Sequence, residues 1–168
     1  MKKLILLPLI FVTVMFSSCS VQKTMSSALF IERIQMLNGN IVFDTENAFF
    51  EDGKYICFAK NENGTEYIME FETDESGNAK KICLACRETD KAEEFKLFTK
   101  SIIKTYSPDD DTDAVISELS KDTYCHCDTQ WHRYSAVNEK KCLFFSVESK
   151  KLATSSDAEL TLKQNDII

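Results

Sequence analysis

Two short cysteine motifs, Cys83-Leu84-Ala85-Cys86 and Cys125-His126-Cys127, hold most of the chemistry in this sequence. Thiolates and imidazoles bind zinc tetrahedrally. Cys83, Cys86, Cys125 and Cys127, with His132 nearby in the chain, offer more than the four ligands a zinc or copper site needs. The spacing between the pairs is too long for a compact zinc knuckle, and strand geometry works against a shared site. Residues three apart on a strand face opposite ways, while residues two apart share a face. Cys83 and Cys86 therefore diverge and Cys125 and Cys127 align, so a common metal would need a bulge or turn inside the first motif. Redox use of the Cys83–Cys86 pair is disfavoured too. Reactive pairs of this spacing sit at helix N-termini, where the dipole lowers the thiol pKa, whereas this one lies in a strand pattern some residues before a helix. The bland reading is structural disulfides or buried thiols acting as small apolar groups. Metal-binding through these cysteines is the alternative to it.

The remaining candidates are weaker. In the run Asp109-Asp110-Asp111-Thr112-Asp113, three aspartates fall at the first ligand positions of an EF-hand loop. Ala114 then stands where the loop needs glycine and Ser120 where it needs glutamate, so an acidic helix N-terminus explains the run better. His126 and His132 are the only histidines, and no serine sits in a nucleophile-elbow pattern. A Ser-His-Asp set assembled across space is left open by sequence. Trp131 and His132 could line a ligand surface, with core packing the better account of Trp131. The Asn63-Gly64-Thr65 sequon reads as a turn. No catalytic residue, resident metal or cofactor is expected.

The N-terminus is more informative. Lys2 and Lys3 precede thirteen uncharged residues, Leu4 to Phe16, interrupted by Pro8 and followed by Ser17, Ser18 and Cys19. A membrane-spanning helix needs about 20 apolar residues, whereas a basic head, a core of ~7–15 apolar residues and small residues before a cut make a secretory signal. Ser17 and Ser18 directly before Cys19 resemble the lipobox of bacterial lipoproteins. That resemblance is confined to residues 1–20. It implies cleavage after residue 18, acylation of the Cys19 thiol and, since Ser20 is not acidic, passage to an outer membrane where the cell has one. Phe16 departs from the commoner aliphatic residue of that motif. Acylated Cys19 would hold the protein to a membrane without a spanning helix. It would also settle the parity of seven cysteines, leaving Cys57, Cys83, Cys86, Cys125, Cys127 and Cys142 as three potential disulfides of undetermined pairing.

The 168 residues less 18 for the leader leave 150, a chain that suits one domain. The division is then a signal peptide over 1–18, a lipidated tether over 19–28 and one domain over 29–168. The 20 basic residues, less the two leader lysines, face 27 acidic ones, a net charge of about −9. An acidic surface argues against nucleic acid and against attraction to anionic lipid heads. With 4 Gly, 2 Pro, 12 Phe, 5 Tyr and 1 Trp, the chain is neither a stalk nor a disordered tail.

Leu29, Phe30, Ile34 and Leu37 mark a helix stopped by Asn38-Gly39. Alternating runs from Ile41 to Cys86, punctuated by glycine turns, predict an antiparallel meander. Pairing Phe58 with Tyr67 and Met69 with Ile82 would put Ile56, Phe58, Tyr67, Met69, Phe71, Ile82 and Leu84 on the buried face and set Glu70 opposite Lys81. In that register Cys57 and Cys83 flank Ile68 two strand spacings apart, too far for a bond. A strong helix follows, with Asp90 and Glu93 as a capping box and Phe95, Phe98, Ile102 and Tyr106 in a stripe, ended by Pro108. A shorter helix spans 112–119. A hairpin turns around 136–139, setting Cys142 near residues 133–135, and 158–164 adds a last strand. Helices segregated from strands predict an α+β domain whose helices cover one face of an antiparallel sheet. The expected function is non-catalytic: a lipid-anchored cell-envelope module, structural or binding a protein or small molecule.

Overall fold

The computed structural model describes residues 25–150. Helix α1 (Ser27–Leu37) leads into four strands, β1 (Ile41–Glu51), β2 (Lys54–Asn61), β3 (Glu66–Thr73) and β4 (Ala79–Cys86). A 3₁₀ turn over Thr89–Lys91 then opens helix α2 (Ala92–Tyr106), followed by α3 (Thr112–Leu119) and the strands β5 (Tyr124–Asp128), β6 (His132–Glu139) and β7 (Cys142–Ser149). All seven strands form one antiparallel sheet in the order β1-β2-β3-β4-β7-β6-β5. Two meanders thus meet at the β4–β7 pair, and α2 and α3 make the connection between them. This is the α+β architecture that the segregation of helical and strand patterns implies. The segment 158–164 lies outside the described residues.

The helices share one face of the sheet. Phe30 of α1 packs edge-on against Phe71 of β3 at 5.5 Å, and the Asn138 side chain of β6 donates to the Leu119 carbonyl of α3. Phe98 of α2 explains the register beneath it. Phe43, Ala59 and Tyr67 are direct neighbours across β1, β2 and β3, and the Phe98 ring lies 6.2 Å from Phe43 and 5.0 Å from Tyr67. The small Ala59 side chain leaves the hollow into which that ring fits. Burying an aromatic of this size contributes ~3 kcal/mol before ordering entropy is subtracted.

This arrangement corrects the β2 register by one residue. Phe58 pairs with Ile68 and Ala59 with Tyr67, so Ile56 and Phe58 turn to the outer face while Cys57 and Ala59 turn inward. The loop sets the slip. Gly64 adopts φ +87°, and its N–H donates to the Asn61 carbonyl while the Asn61 N–H donates to Thr65. Five residues, 61–65, lie between the last paired residues Lys60 and Glu66, and with a left-handed glycine among them they add the one residue that reverses the face. Between β3 and β4 the slip is two residues, Met69 pairing with Leu84 and Glu70 with Cys83, which keeps Ile82 and Leu84 inside but moves Lys81 opposite Glu72. Asp74 organises that turn by accepting N–H bonds from Ser76 and Asn78.

Smaller differences have equally local causes. In α1 the buried stripe is Phe30, Ile31 and Ile34, with Leu29 and Leu37 exposed. Met25 and Ser26 join the folded body ahead of the helix, Ser26 capping it and the Met25 carbonyl accepting from the Ala79 N–H. The Asp90–Glu93 capping box does not form, because the 3₁₀ turn places Lys91 at the cap position. The β6–β7 turn falls at 140–141, so Cys142 pairs with Glu139 rather than lying near 133–135.

Candidate functional site

The cysteines are spread apart. On β4, Cys86 faces the helices and Cys83 the opposite side, as their spacing requires, and Cys125 and Cys127 share the helix-facing side of β5, both half-buried. Two strands, β7 and β6, separate the two motifs, about 14 Å at ordinary strand spacing. Cys57 lies on the helix face, so it and Cys83 stand on opposite sides of the sheet. The six described thiols are free. Burial pushes the Cys57 thiol up to about 12 and Cys83 up to about 11, the reverse of what a reactive or metal-binding thiolate needs. Among the described residues, no group of three or more His, Cys, Asp or Glu is placed to hold a metal ion. Cys19 lies outside the described residues.

The aspartate run does something the sequence conceals. Asp111 caps α3 by accepting from the N–H groups of Asp113 and Ala114, both at 3.1 Å, so the acidic run marks a helix start. Its neighbour Asp110 points inward. One carboxylate oxygen lies 2.7 Å from His132 Nδ1 and accepts from the Tyr134 hydroxyl at 2.5 Å and the Thr129 hydroxyl at 3.0 Å. The Asp110 and His132 side chains are 7% and 5% exposed. Ser149, the cross-strand partner of His132, is buried on the same face. Aspartate, histidine and serine are thus neighbours, but as folded the group is closed to solvent. It ties the α2–α3 connection to β6 across the core. Burial and the adjacent carboxylate both push the Tyr134 hydroxyl pKa up.

The face of the sheet away from the helices carries the most ordered surface feature. Its residues fall into three rows running across the strands. Phe58, Ile68, Ala85, Phe144, Val137 and Tyr124 are successive cross-strand neighbours from β2 to β5 and form an apolar row. Phe58 and Ile68 are 38% and 37% exposed and Tyr124 66%. A parallel row farther along the strands contains Glu51, Lys54, Glu72, Lys81, Glu148, Arg133 and Asp128, one from every strand and alternating in sign without a break. Between them lies a mixed row in which Cys83, Ser146 and Ser135 are adjacent.

The rows are electrostatically knit. Lys54 reaches diagonally to Glu70 at 2.8 Å, and that hydrogen bond raises the lysine pKa. Asp128 pairs with Lys150 at 3.0 Å and Arg133 at 3.4 Å, with the Lys150 hydrogen bond the main cause of its lowered pKa. At the β1 end the apolar row runs into a hollow of about 750 Å³ lined by Val42, Asp44, Phe58, Lys60 and Glu66. Phe49 leans over the Phe58 ring at 6.5 Å.

Comparison with protein-family models, curated proteins and solved structures finds no match for this chain. No helix among the described residues is long and apolar enough to cross a membrane.

Proposed function

We propose that this protein is a non-catalytic cell-envelope lipoprotein, held at a membrane by acylated Cys19, whose open sheet face docks another protein. The observation that carries the docking half is the pairing of an apolar row, exposed at Phe58, Ile68 and Tyr124 and half-buried at Ala85, Phe144 and Val137, with a charge row of strictly alternating sign. Apolar area supplies affinity, and alternating charges supply register and rejection of wrong partners. A row with almost no net charge gives no long-range pull on a polyanion or an anionic bilayer. The occupant it fits is a protein strip presenting carboxylates and ammonium groups in the complementary order beside an apolar ridge.

The anchor fixes which way such a body would point. Five residues, 20–24, lie between Cys19 and Met25, a reach of at most ~22 Å over six Cα steps, and Met25 is tied to the start of β4 at Ala79. The sheet end bearing the β1–β2, β3–β4 and β5–β6 turns would then lie next to the membrane, with the charge row near it and the apolar row farther out. The partner would accordingly be met from the side or from beyond the anchor.

A photo-crosslinking residue at position 68 tests the docking in intact cells. One adduct of discrete mass, lost when Lys81→Glu and Glu148→Lys are combined, supports it. Adducts only with this chain's own residues or with lipid, or adducts indifferent to the charge swap, overturn it. The anchor is tested separately by Cys19→Ala, which should abolish acyl labelling and yield a soluble or unprocessed chain. Normal processing and membrane retention of that variant would remove the anchor from the proposal.

A further inference from the structure

A second cavity lies on the opposite side of the molecule from the docking face. It is a cleft of about 680 Å³ where the start of α2, the end of α3 and the β6–β7 hairpin meet. Its volume falls within the ~300–1,000 Å³ range of small-molecule sites. Phe95, Ile116, Leu119 and Leu143 line it, each buried, and apolar side chains from three elements that converge without closing leave room for an apolar body.

Two observations mark this gap as a site rather than a packing defect. Thr99 stands in the α2 wall, 4% exposed, and its hydroxyl has no hydrogen-bond partner among the described residues. Helical threonines ordinarily bond to the carbonyl four residues back, as Thr105 does, and a buried hydroxyl without any partner is uncommon. The rim, in addition, carries both signs of charge. Lys96 and Lys140 have no ion-pair partner among the described residues, and Glu93, Asp122 and Glu139 stand beside them, whereas Lys121 is taken up by Glu118 at 2.6 Å.

We infer that this cleft binds a single-chain amphiphile with a zwitterionic head, its chain along Phe95, Ile116, Leu119 and Leu143 and its head between Lys96, Lys140 and the rim carboxylates. An anionic head would meet the lysines but be repelled by three carboxylates. An uncharged head would leave both sets of charges unanswered. The mixed rim selects the molecule that carries both signs. The inference is independent of what docks on the outer face.

A single-chain phosphocholine bearing a photoreactive group at the end of its chain, added to the full-length protein in its native membranes, tests this. Adducts should map to the cleft walls, and unlabelled phosphocholine should compete at least fivefold better than an alkyl sulfate or an alkyl maltoside of the same chain length. Lys96→Gln should lower cleft labelling several-fold. Ser120→Trp, a change at an exposed wall position, should nearly abolish it while the circular dichroism spectrum stays unchanged. Labelling spread evenly over the surface, labelling on Phe58 and Ile68 instead, equal competition by all three amphiphiles, or adducts unaffected by Ser120→Trp would each overturn the inference.

Discussion

Three consecutive aspartates differ so much in surroundings that replacing them one at a time separates a buried polar tie from a helix cap and from a solvated charge. Asp110→Ala removes the acceptor shared by His132, Tyr134 and Thr129. His132 and Tyr134 are 4% and 0% exposed, so their donors are left where water does not replace the lost partner. A buried donor without a partner costs about 1–3 kcal/mol, and three donors share this one acceptor. Because one carboxylate serves all three donors, the penalties overlap, and a loss of ~4 kcal/mol is expected. At ~2–4 °C per kcal/mol for a domain of this size, Tm should fall by roughly 10 °C.

Asp111→Ala removes two exposed capping bonds and should lower stability by ~1 kcal/mol. Asp109 is exposed and its alanine variant should stay within about 0.5 kcal/mol of the parent. Urea unfolding of the three variants, with matching m-values as the check that the same surface is exposed, measures the ranking. Tyr134→Phe adds an internal control. It removes one donor while the carboxylate keeps two, and combined with Asp110→Ala it should cost less than the two changes separately by ~1 kcal/mol or more. Equal destabilisation by all three aspartate variants, or simple additivity with Tyr134→Phe, would refute the reasoning.

Phe98→Ala should destabilise by ~3–5 kcal/mol, because the ring fills the hollow over Ala59 between Phe43 and Tyr67; a loss under 1 kcal/mol in urea unfolding would show that the helix does not pack there. Gly64→Ala should cost ~1 kcal/mol through its positive φ alone, since the nearest atom to an added Cβ is the flexible Lys60 Cε at 3.7 Å, whereas an unchanged Cm would mean a different loop. Stability should fall with rising pH above about 9 under reducing conditions. The folded-state thiol pKa values of Cys57 and Cys83 lie above their ordinary value of 9.0, so the unfolded chain loses its protons first and is favoured between the two values. Cys57→Ala, compared with the parent between pH 8 and 10.5, should show a shallower decline, and an identical slope would contradict the burial of that thiol.

Much of the fold was legible because the signals were local. The α2 stripe of Phe95, Phe98 and Ile102 repeats at helical period, and α3 occupies residues 112–119, where an acidic start and an apolar stripe place it. Strand existence was equally plain. Register was not, because Ile56 and Phe58 look like core residues and Cys57 and Ala59 do not. What reverses them is the extra residue in the Gly64 loop together with the fit of Phe98 into the space over Ala59, the latter an interaction between residues 39 positions apart. The two-residue slip at β4 was invisible for another reason: it leaves every side chain on its expected face, and Glu70 opposite Lys81 is as good a pair on paper as Glu72 opposite Lys81. The Asp110–His132–Tyr134 tie left a faint trace in the alternating His132 and Tyr134 of an otherwise unremarked strand, but no local rule connects them to one aspartate among three. The outer rows left none, since each draws single residues from many strands.

That dispersal allows a last distinction, between a charge row that only holds the sheet together and one that is read by a partner. Lys81→Glu alone would set a glutamate between Glu72 and Glu148, and like charges facing one another across strands lose roughly what opposite pairs gain, about 0.2–1 kcal/mol each. Stability should drop by ~1 kcal/mol. Adding Glu148→Lys restores opposite charges within the swapped pair but leaves position 81 matched in sign with Glu72 and position 148 matched in sign with Arg133, so only part of the loss returns. Exchanging Lys54 and Arg133 to glutamate and Glu51, Glu72 and Asp128 to lysine as well reverses all seven members, and adding Glu70→Lys, Lys80→Glu and Lys150→Glu reverses the ion-pair partners that Lys54, Glu72 and Asp128 have outside the row, so that every one of these pairs is opposite again. If the row serves the sheet alone, this fully inverted protein should match the parent both in Cm and in crosslinking from position 68. If a complementary strip reads it, the unfolding free energy should stay within about 1 kcal/mol of the parent while the crosslinked species disappears. Retention of the same adduct by the inverted protein would confine the row to an intramolecular role and leave the apolar row as the only basis for docking.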